Sequence, residues 1–447
     1  MSVFKLRHKP TLLVGGAALL ASLCGAVVTA VHHVPQAGPF IANSLRSVIG
    51  INAVANLEEL VASVEDTSMR VRWWGERPRS LSSVSRAVTR SDVLAPVLQC
   101  TDTSLSPTAP DIASDASIPV SMDRSAEASR GDSIDRALRE PLAQGFTPAP
   151  IPPPYLEVAA EGDGTWLPVP DPEHPERPAL LFKTLLHPDP ERPWSELFLV
   201  AMPSSLVRLA AVPGTAEPST DNPAAEALPH RGLIPESQHG ELLAAFNGGF
   251  RAEHGHHGML VDGVLLVPPR ADMCTVASYD DGSLRIGTYA RITAQAPKPL
   301  WFRQSPRCMV EQGALHPGLR DANARGWGST LEGDTVIRRS SIALSEDGGV
   351  LYVAVTNFTT ARALAVGMRA AGGWNVAQLD VNFSFPKFLL FPRDESGTRR
   401  AASLFEGFLF EAEEMLEEPT ERDFFYVVRR QRDERTEAPS LLAKQSG

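Results

Sequence analysis

The chain has 447 residues, 38 of them proline, and carries a formal net charge of −11, which suits one large or two ordinary globular domains. No cluster of lysines and arginines offsets the negative balance, and this excludes a nucleic-acid partner, because affinity for a polyanion depends on clustered cations.

Lys5, Arg7 and Lys9 precede an uncharged stretch from Thr11 to Val31. At about 21 residues it has the pattern of an export signal and is long enough to span a bilayer. Residues 1–31 therefore read as a signal anchor with its N-terminus inside, or, with cleavage at Val28-Thr29-Ala30, as a signal peptide. Cys24 follows Leu23, where lipid attachment wants a small residue, so it reads as part of the apolar segment. Both alternatives place the rest of the chain outside the cytoplasm, held in the cell envelope or secreted.

In residues 32–77, Ile41, Leu45, Val48, Ile49, Val54, Leu57, Leu60, Val61 and Val64 recur at helical spacing, followed by Trp73-Trp74 among arginines. This predicts a juxtamembrane amphipathic helix whose stripe packs on another chain, on the domain or on the bilayer surface. Residues 78–150 are rich in Pro, Ser, Ala, Asp and Thr with no apolar periodicity. Such a segment buries too little surface to offset its ordering entropy and is predicted to be a disordered linker.

Residues 151–430 form the predicted globular domain, and 431–447 a disordered tail. Strands are expected at 180–182, 197–201, 207–212 and 241–246. Three hairpins should turn at Asp262-Gly263, Asp281-Gly282 and Asp347-Gly348, since Asp-Gly between strand-like flanks adopts the positive-φ turn that closes a hairpin. Thr359 or Thr360 caps a helix through Met368 that Gly372-Gly373 stops, and strands return at 376–379 and 424–428. The segment 404–416 reads as strand or helix. The fold class expected from this order is α+β, a large mixed, mainly antiparallel sheet with packed helices. Cys274 and Cys308 are the only cysteine pair inside the domain, and stand as a bridge or as buried free thiols.

Two segments carry the functional signal: Ala244-Ala245-Phe246-Asn247-Gly248-Gly249-Phe250 and Ala377-Gln378-Leu379-Asp380-Val381-Asn382-Phe383-Ser384. Each is an apolar run that ends abruptly in polar or glycine residues, so each should deliver a side chain to a sheet edge. Between them lie Gly258-Met259-Leu260-Val261-Asp262-Gly263, Arg339-Ser340-Ser341 and Asp347-Gly348. This order resembles the phosphodiester glycosidase family, whose best-known member removes N-acetylglucosamine from a phosphodiester. The likeness spans roughly residues 180–430. The chain departs from the pattern where the family has Leu-Asp-Gly-Gly-Gly-Ser, because Val381, Asn382 and Phe383 replace the glycines.

The resemblance implies that Asp380 is the catalytic carboxylate, which supports an oxocarbenium-like transition state or activates water. It implies that Arg339 forks a phosphate, with Arg338 pointing to the opposite face. Asn247 can donate to and accept from a sugar hydroxyl or a phosphate oxygen, beside Gly248 and Gly249, which allow close backbone approach. Phe250 is a ring platform, as are Trp327 and Trp374, each of which is more often core. Ser384 matches the family serine in register; Lys387 has no counterpart. A strand continuing past Asp380 would put Asp380, Asn382 and Ser384 on one face as a polar row.

Glu253-His254-Gly255-His256-His257 lacks the spacing of known zinc motifs, so it reads as a cleft loop supplying His257 to substrate. Glu332 and Asp334 are reserve carboxylates. No metal and no cofactor are called for. The expected function is an envelope-anchored hydrolase of a glycan or glycolipid phosphodiester. The alternatives are a non-catalytic relative binding envelope polysaccharide or a protein partner, and a zinc hydrolase built on the histidine cluster.

Overall fold

The computed structural model describes residues 44, 51–75 and 145–430, without 172, 175, 230, 295–297, 320–325, 328–335 and 383. The expected segment at 1–31 and the tail at 431–447 lie outside these residues. Among the described residues no helix is long and apolar enough to cross a membrane.

Among the described residues, the expected single large sheet with packed helices is replaced by three antiparallel sheets with few helices. An eight-stranded sheet runs in the order β1 (Leu167–Val169), β2 (Leu181–Leu186), β3 (Leu197–Pro203), β14 (Val350–Thr356), β13 (Arg339–Leu344), β15 (Asn375–Val381), β11 (Val310–Glu311) and β12 (Ala314–Leu315). A five-stranded sheet follows the order β7 (Val264–Val267), β6 (Met259–Val261), β10 (Trp301–Ser305), β8 (Cys274–Ser278) and β9 (Leu284–Thr288). A second five-stranded sheet has the order β17 (Ala402–Ser403), β16 (Phe388–Leu390), β5 (Leu242–Asn247), β18 (Phe424–Arg429) and β4 (Val207–Val212). The reason lies in the strands, which are only two to seven residues long: local hairpins such as β6–β7 and β8–β9 are joined by long-range pairs such as β3–β14 and β5–β18, so the strands divide among three sheets that meet at one core.

The three Asp-Gly turns close hairpins as expected, β6–β7, β8–β9 and β13–β14. At the first, Asp262 and Gly263 both have positive φ, 50° and 76°. The segment 404–416 forms turns and isolated bridges, neither strand nor helix.

The largest apolar cluster lies where the sheets meet and includes Val200 and Val353 from the first, Met259 and Val276 from the second, and Phe246 and Phe425 from the third. Among the described residues, the other face of the eight-stranded sheet is covered by one helix together with Ile151, Leu319 and Trp327 from the loops. Among the described residues the α-helices with full bounds are α1 (Ile51–Gly75), α2 (Tyr289–Thr293) and α3 (Ala361–Ala370). Thr360 caps α3 by accepting from the Ala363 amide at 3.1 Å, and the chain leaves through Gly372 at φ 99°. Ala361, Leu364, Ala365 and Met368 recur at helical spacing and are buried against Leu197, Leu199 and Ala354. Burying Leu364 and Met368 contributes about 2 kcal/mol each.

Three local findings bear on the sequence reading. Residues 145–150, assigned to the linker, pack on the domain: the Phe146 ring lies 5.6 Å from Phe182, and Trp166 Nε1 donates to the Ala149 carbonyl at 2.8 Å. The rest of the linker lies outside the described residues. α1 docks on the domain, where Asp66 accepts from Arg192 Nε and Nη2 at 2.9 and 3.2 Å and the Trp73 ring lies 6.1 Å from Trp194. Cys274 and Cys308 form a disulfide, tying β8 to the segment ahead of β11.

Candidate functional site

Asn247 is the last residue of β5, where the strand passes into Gly248-Gly249. Its buried side chain donates from Nδ2 to Ser340 Oγ at 2.7 Å and to the Gly248 carbonyl at 3.2 Å, and its Oδ1 accepts the Lys387 amide at 3.2 Å. Ser340 Oγ in turn donates to the Asp380 carbonyl at 2.9 Å. The Gly248 carbonyl accepts the Asp380 amide at 3.0 Å. The two signal segments are therefore in direct contact.

Both glycines are required by crowding. A Cβ on Gly248 would stand 2.4 Å from the Asp423 carbonyl oxygen, and one on Gly249 would stand 2.7 Å from Arg303 Cζ. These are close-approach positions, as the sequence suggested, but what approaches is the protein itself.

Asp380 owes its direction to a bulge. β13 and β15 pair as Ser341 with Gln378 but Arg339 with Val381, so β15 carries one extra residue opposite Ser340. The buried carboxylate accepts from Arg422 Nη2 at 2.6 Å, from the Val381 amide at 2.9 Å and from Asn382 Nδ2 at 3.4 Å. Burial pushes the Asp380 carboxyl above the ordinary carboxylate range, against the opposing pull of the Arg422 guanidinium.

The strand stops at Val381, so the expected polar row does not form. Asn382 Oδ1 instead accepts the Ser384 and Phe385 amides at 2.8 and 2.7 Å, an Asx-type turn that spends this side chain on the backbone. Ser384 sits half-buried at the rim, and Phe383 lies outside the described residues.

Arg339 does not reach this constellation. Ser340 faces Asn247, and strand alternation turns Arg339 to the other side. There its fully buried guanidinium donates to the Thr359 carbonyl at 3.1 Å, to Gln378 Oε1 at 3.3 Å and to the Trp327 carbonyl. Arg338 places its guanidinium 4.9 Å over the Phe408 ring, and burial pushes it down to about 10 against the attraction of Glu65 on α1.

Two other arginines take that place. Arg422 and Asp423 precede β18, whose Phe424 pairs with Asn247, so this dipeptide runs opposite Gly248-Gly249. Asp423 accepts the Gly249 amide at 2.9 Å and holds Arg303 through two bonds, Nε to Oδ2 at 2.8 Å and Nη2 to Oδ1 at 3.1 Å. Arg303 also donates to the Phe250, His257 and Gln304 carbonyls, which uses every one of its N–H groups. The sequence signal for both arginines was weak, because pairing across sheets from residues 303 and 422 is not written in local spacing.

Phe250 is buried, its ring 5.7 Å from His257. Burial and the Arg303 and Arg270 charges push the His257 imidazole down to about 3, so it is neutral at ordinary pH. Its Nδ1 is buried without a hydrogen-bond partner among the described residues. The histidine cluster is dispersed, with His254 beside Glu253 at 3.5 Å, and no group of three ligating side chains is found among the described residues. Trp327 is core, and Trp374 packs on Gly313. Lys387 pairs with Glu414 at 2.7 Å, while Glu332 and Asp334 lie outside the described residues.

Asn247, Gly248, Gly249, Asp380 and Asn382 thus converge, with Ser384 at the rim. Phe250 and His257 lie across Arg303, and Arg339 stands apart. No family model and no curated protein matches the chain. Among solved structures, it is similar to the auto-inhibited catalytic domain of zebrafish N-acetylglucosamine-1-phosphodiester alpha-N-acetylglucosaminidase, at 16% identity and TM-score 0.36, over 60% of this chain and 89% of that one. It is also similar to a hypothetical protein from Synechocystis, at 10% identity and TM-score 0.31, over 56% of this chain and 62% of that one. Likeness at this level assigns no activity, and the functional reading rests on the residues of this chain.

Proposed function

We propose that the protein is a hydrolase of the phosphodiester glycosidase type, cleaving a sugar-phosphodiester or related glycan linkage outside the cytoplasm. The observation that carries this reading is the contact between the two signal segments, through the Asp380 amide and the Gly248 carbonyl, across 132 residues of chain (380 − 248). In this reading water attacks the anomeric carbon as its bond to the phosphate oxygen breaks, the phosphate leaves with the bonding pair, and the Asp380 carboxylate takes the water proton. A phosphate departs without a strong acid, so one carboxylate suffices. Asn247 acts as a positioning residue, since both ends of its amide already hold protein groups. The basic and uncharged N-terminal pattern and the buried disulfide support an exported location, bound to the envelope or released.

The test is release of sugar from a panel of sugar-1-phosphodiesters by the full chain. The wild type should release sugar from at least one member, and Asp380→Asn should slow it by about 10²–10⁴-fold. Undiminished release in the variant, or none in the wild type, overturns the reading. A non-catalytic relative that binds polysaccharide or a protein partner is favoured by one observation: both Asp380 oxygens are engaged within the protein. Glycan binding without turnover would select it.

A further inference from the structure

We propose that Arg422 is the anion-binding cation of this site, that Asp380 is its resting counter-ion, and that an anionic oxygen of a phosphodiester displaces Asp380 from it. The inference rests on the hydrolase reading above and names the group that would recognise its substrate. Three buried arginines surround the two signal segments, and their donors decide between them. Arg303 has every N–H committed to Asp423 and to main-chain carbonyls. Arg339 points to the far face and is held by the Thr359 and Trp327 carbonyls and by Gln378.

Arg422 differs. Its Nη2 donates to Asp380 Oδ2 at 2.6 Å and to the Gly249 carbonyl at 3.2 Å, and its guanidinium lies 4.5 Å over the Phe385 ring, which fixes its plane. The residue is only 8% exposed, yet its Nε is buried with no hydrogen-bond partner among the described residues. A desolvated donor left unpaired carries a penalty that a ligand oxygen removes. A guanidinium with a free Nε offers the planar, two-point edge that suits a phosphodiester.

Displacement has a chemical consequence for Asp380. The charged groups facing its carboxylate among the described residues are Arg422 and Asp423 ahead of β18 and Arg303 on β10. When a ligand takes Arg422, the carboxylate keeps the repulsion of Asp423 and loses its nearest cation, so its proton affinity rises. The anionic substrate thus frees and strengthens the base that acts on its water. It follows that a diester that stays monoanionic binds more tightly as the pH falls and Asp380 takes up a proton.

Calorimetry on the full chain tests this with methyl α-glucosyl phosphate, a monoanionic diester, and methyl α-glucoside, its neutral counterpart. Asp380→Asn should bind the diester about tenfold more tightly than the wild type and without its pH dependence, because the competing counter-ion is gone. Arg422→Gln should weaken diester binding by at least about tenfold and leave the neutral glucoside unchanged, with Arg422→Lys between, since an ammonium keeps the charge and loses the fork. Near-UV circular dichroism checks that each variant is folded. Equal diester affinity in the wild type and Asp380→Asn overturns the inference, as does the absence of diester binding in both. So does loss of both ligands alike in folded Arg422→Lys. Hydrolysis without this binding pattern sinks the inference and leaves the hydrolase reading; the pattern without hydrolysis does the reverse.

Discussion

At the scale of single residues, His257 makes burial legible as pH dependence. Its folded pKa of about 3 lies below the ordinary value of 6.5. The unfolded chain therefore binds a proton that the folded protein refuses, and stability falls as the pH drops below about 6.5 until about 3. Between pH 7 and pH 4.5 this one side chain should account for roughly 2–3 kcal/mol of lost stability. His257→Gln, which cannot be protonated, should flatten that part of the profile. Urea unfolding at the two pH values would show it, and identical slopes in wild type and variant would discount His257. The same burial explains why this residue, expected to meet substrate, faces Phe250 and Gly255 instead.

At the scale of elements, Cys274 on β8 is joined to Cys308, 34 residues on, in the connection that carries the chain from β10 to β11 of the eight-stranded sheet. Cross-linking a loop of that length restricts the unfolded chain and should be worth about 3–4 kcal/mol. Cys308→Ala with Cys274→Ala, compared with the wild type in guanidinium titrations, should lower the midpoint accordingly. A change below about 1 kcal/mol would mean that the unfolded chain is already restricted there. The bulge of β15 shows a second element-level effect. One residue inserted opposite Ser340 turns Asp380 toward Arg422, an orientation that strict alternation does not provide.

At the scale of the whole molecule, α1 is joined to a domain whose next described residue lies seventy positions later, at Gly145. The Asp66–Arg192 pair has both side chains 14% exposed, so it is less screened than a surface pair. Asp66→Ala should weaken docking by about 1 kcal/mol, seen as roughly fivefold faster amide exchange in residues 63–75. Unchanged exchange would shift the credit to the contact of Trp73 with Trp194. Val64, Val71 and Trp74 of this helix remain exposed.

Local chemistry in the sequence was sufficient for the hairpins at Asp262-Gly263, Asp281-Gly282 and Asp347-Gly348, for the cap of α3 at Thr360, for the strand end at Asn247, and for the strand that carries Asp380 near its end. Those features depend on φ preferences, on a side chain within three residues, or on a period of two. The division into three sheets was not legible, because β10 and β16 are short and their partners, β6 with β8 and β5, come from elsewhere in the chain. Nor was the identity of the site's arginine. Arg339 carried the motif, but which face it takes is set by Ser340 meeting Asn247, and the guanidinium that does meet Asp380 comes from residue 422. Spacing along the chain says which residues end a strand; only pairing across sheets decides which charges share a buried space, because Coulomb and desolvation energies depend on distance and burial in the folded molecule, not on separation in sequence.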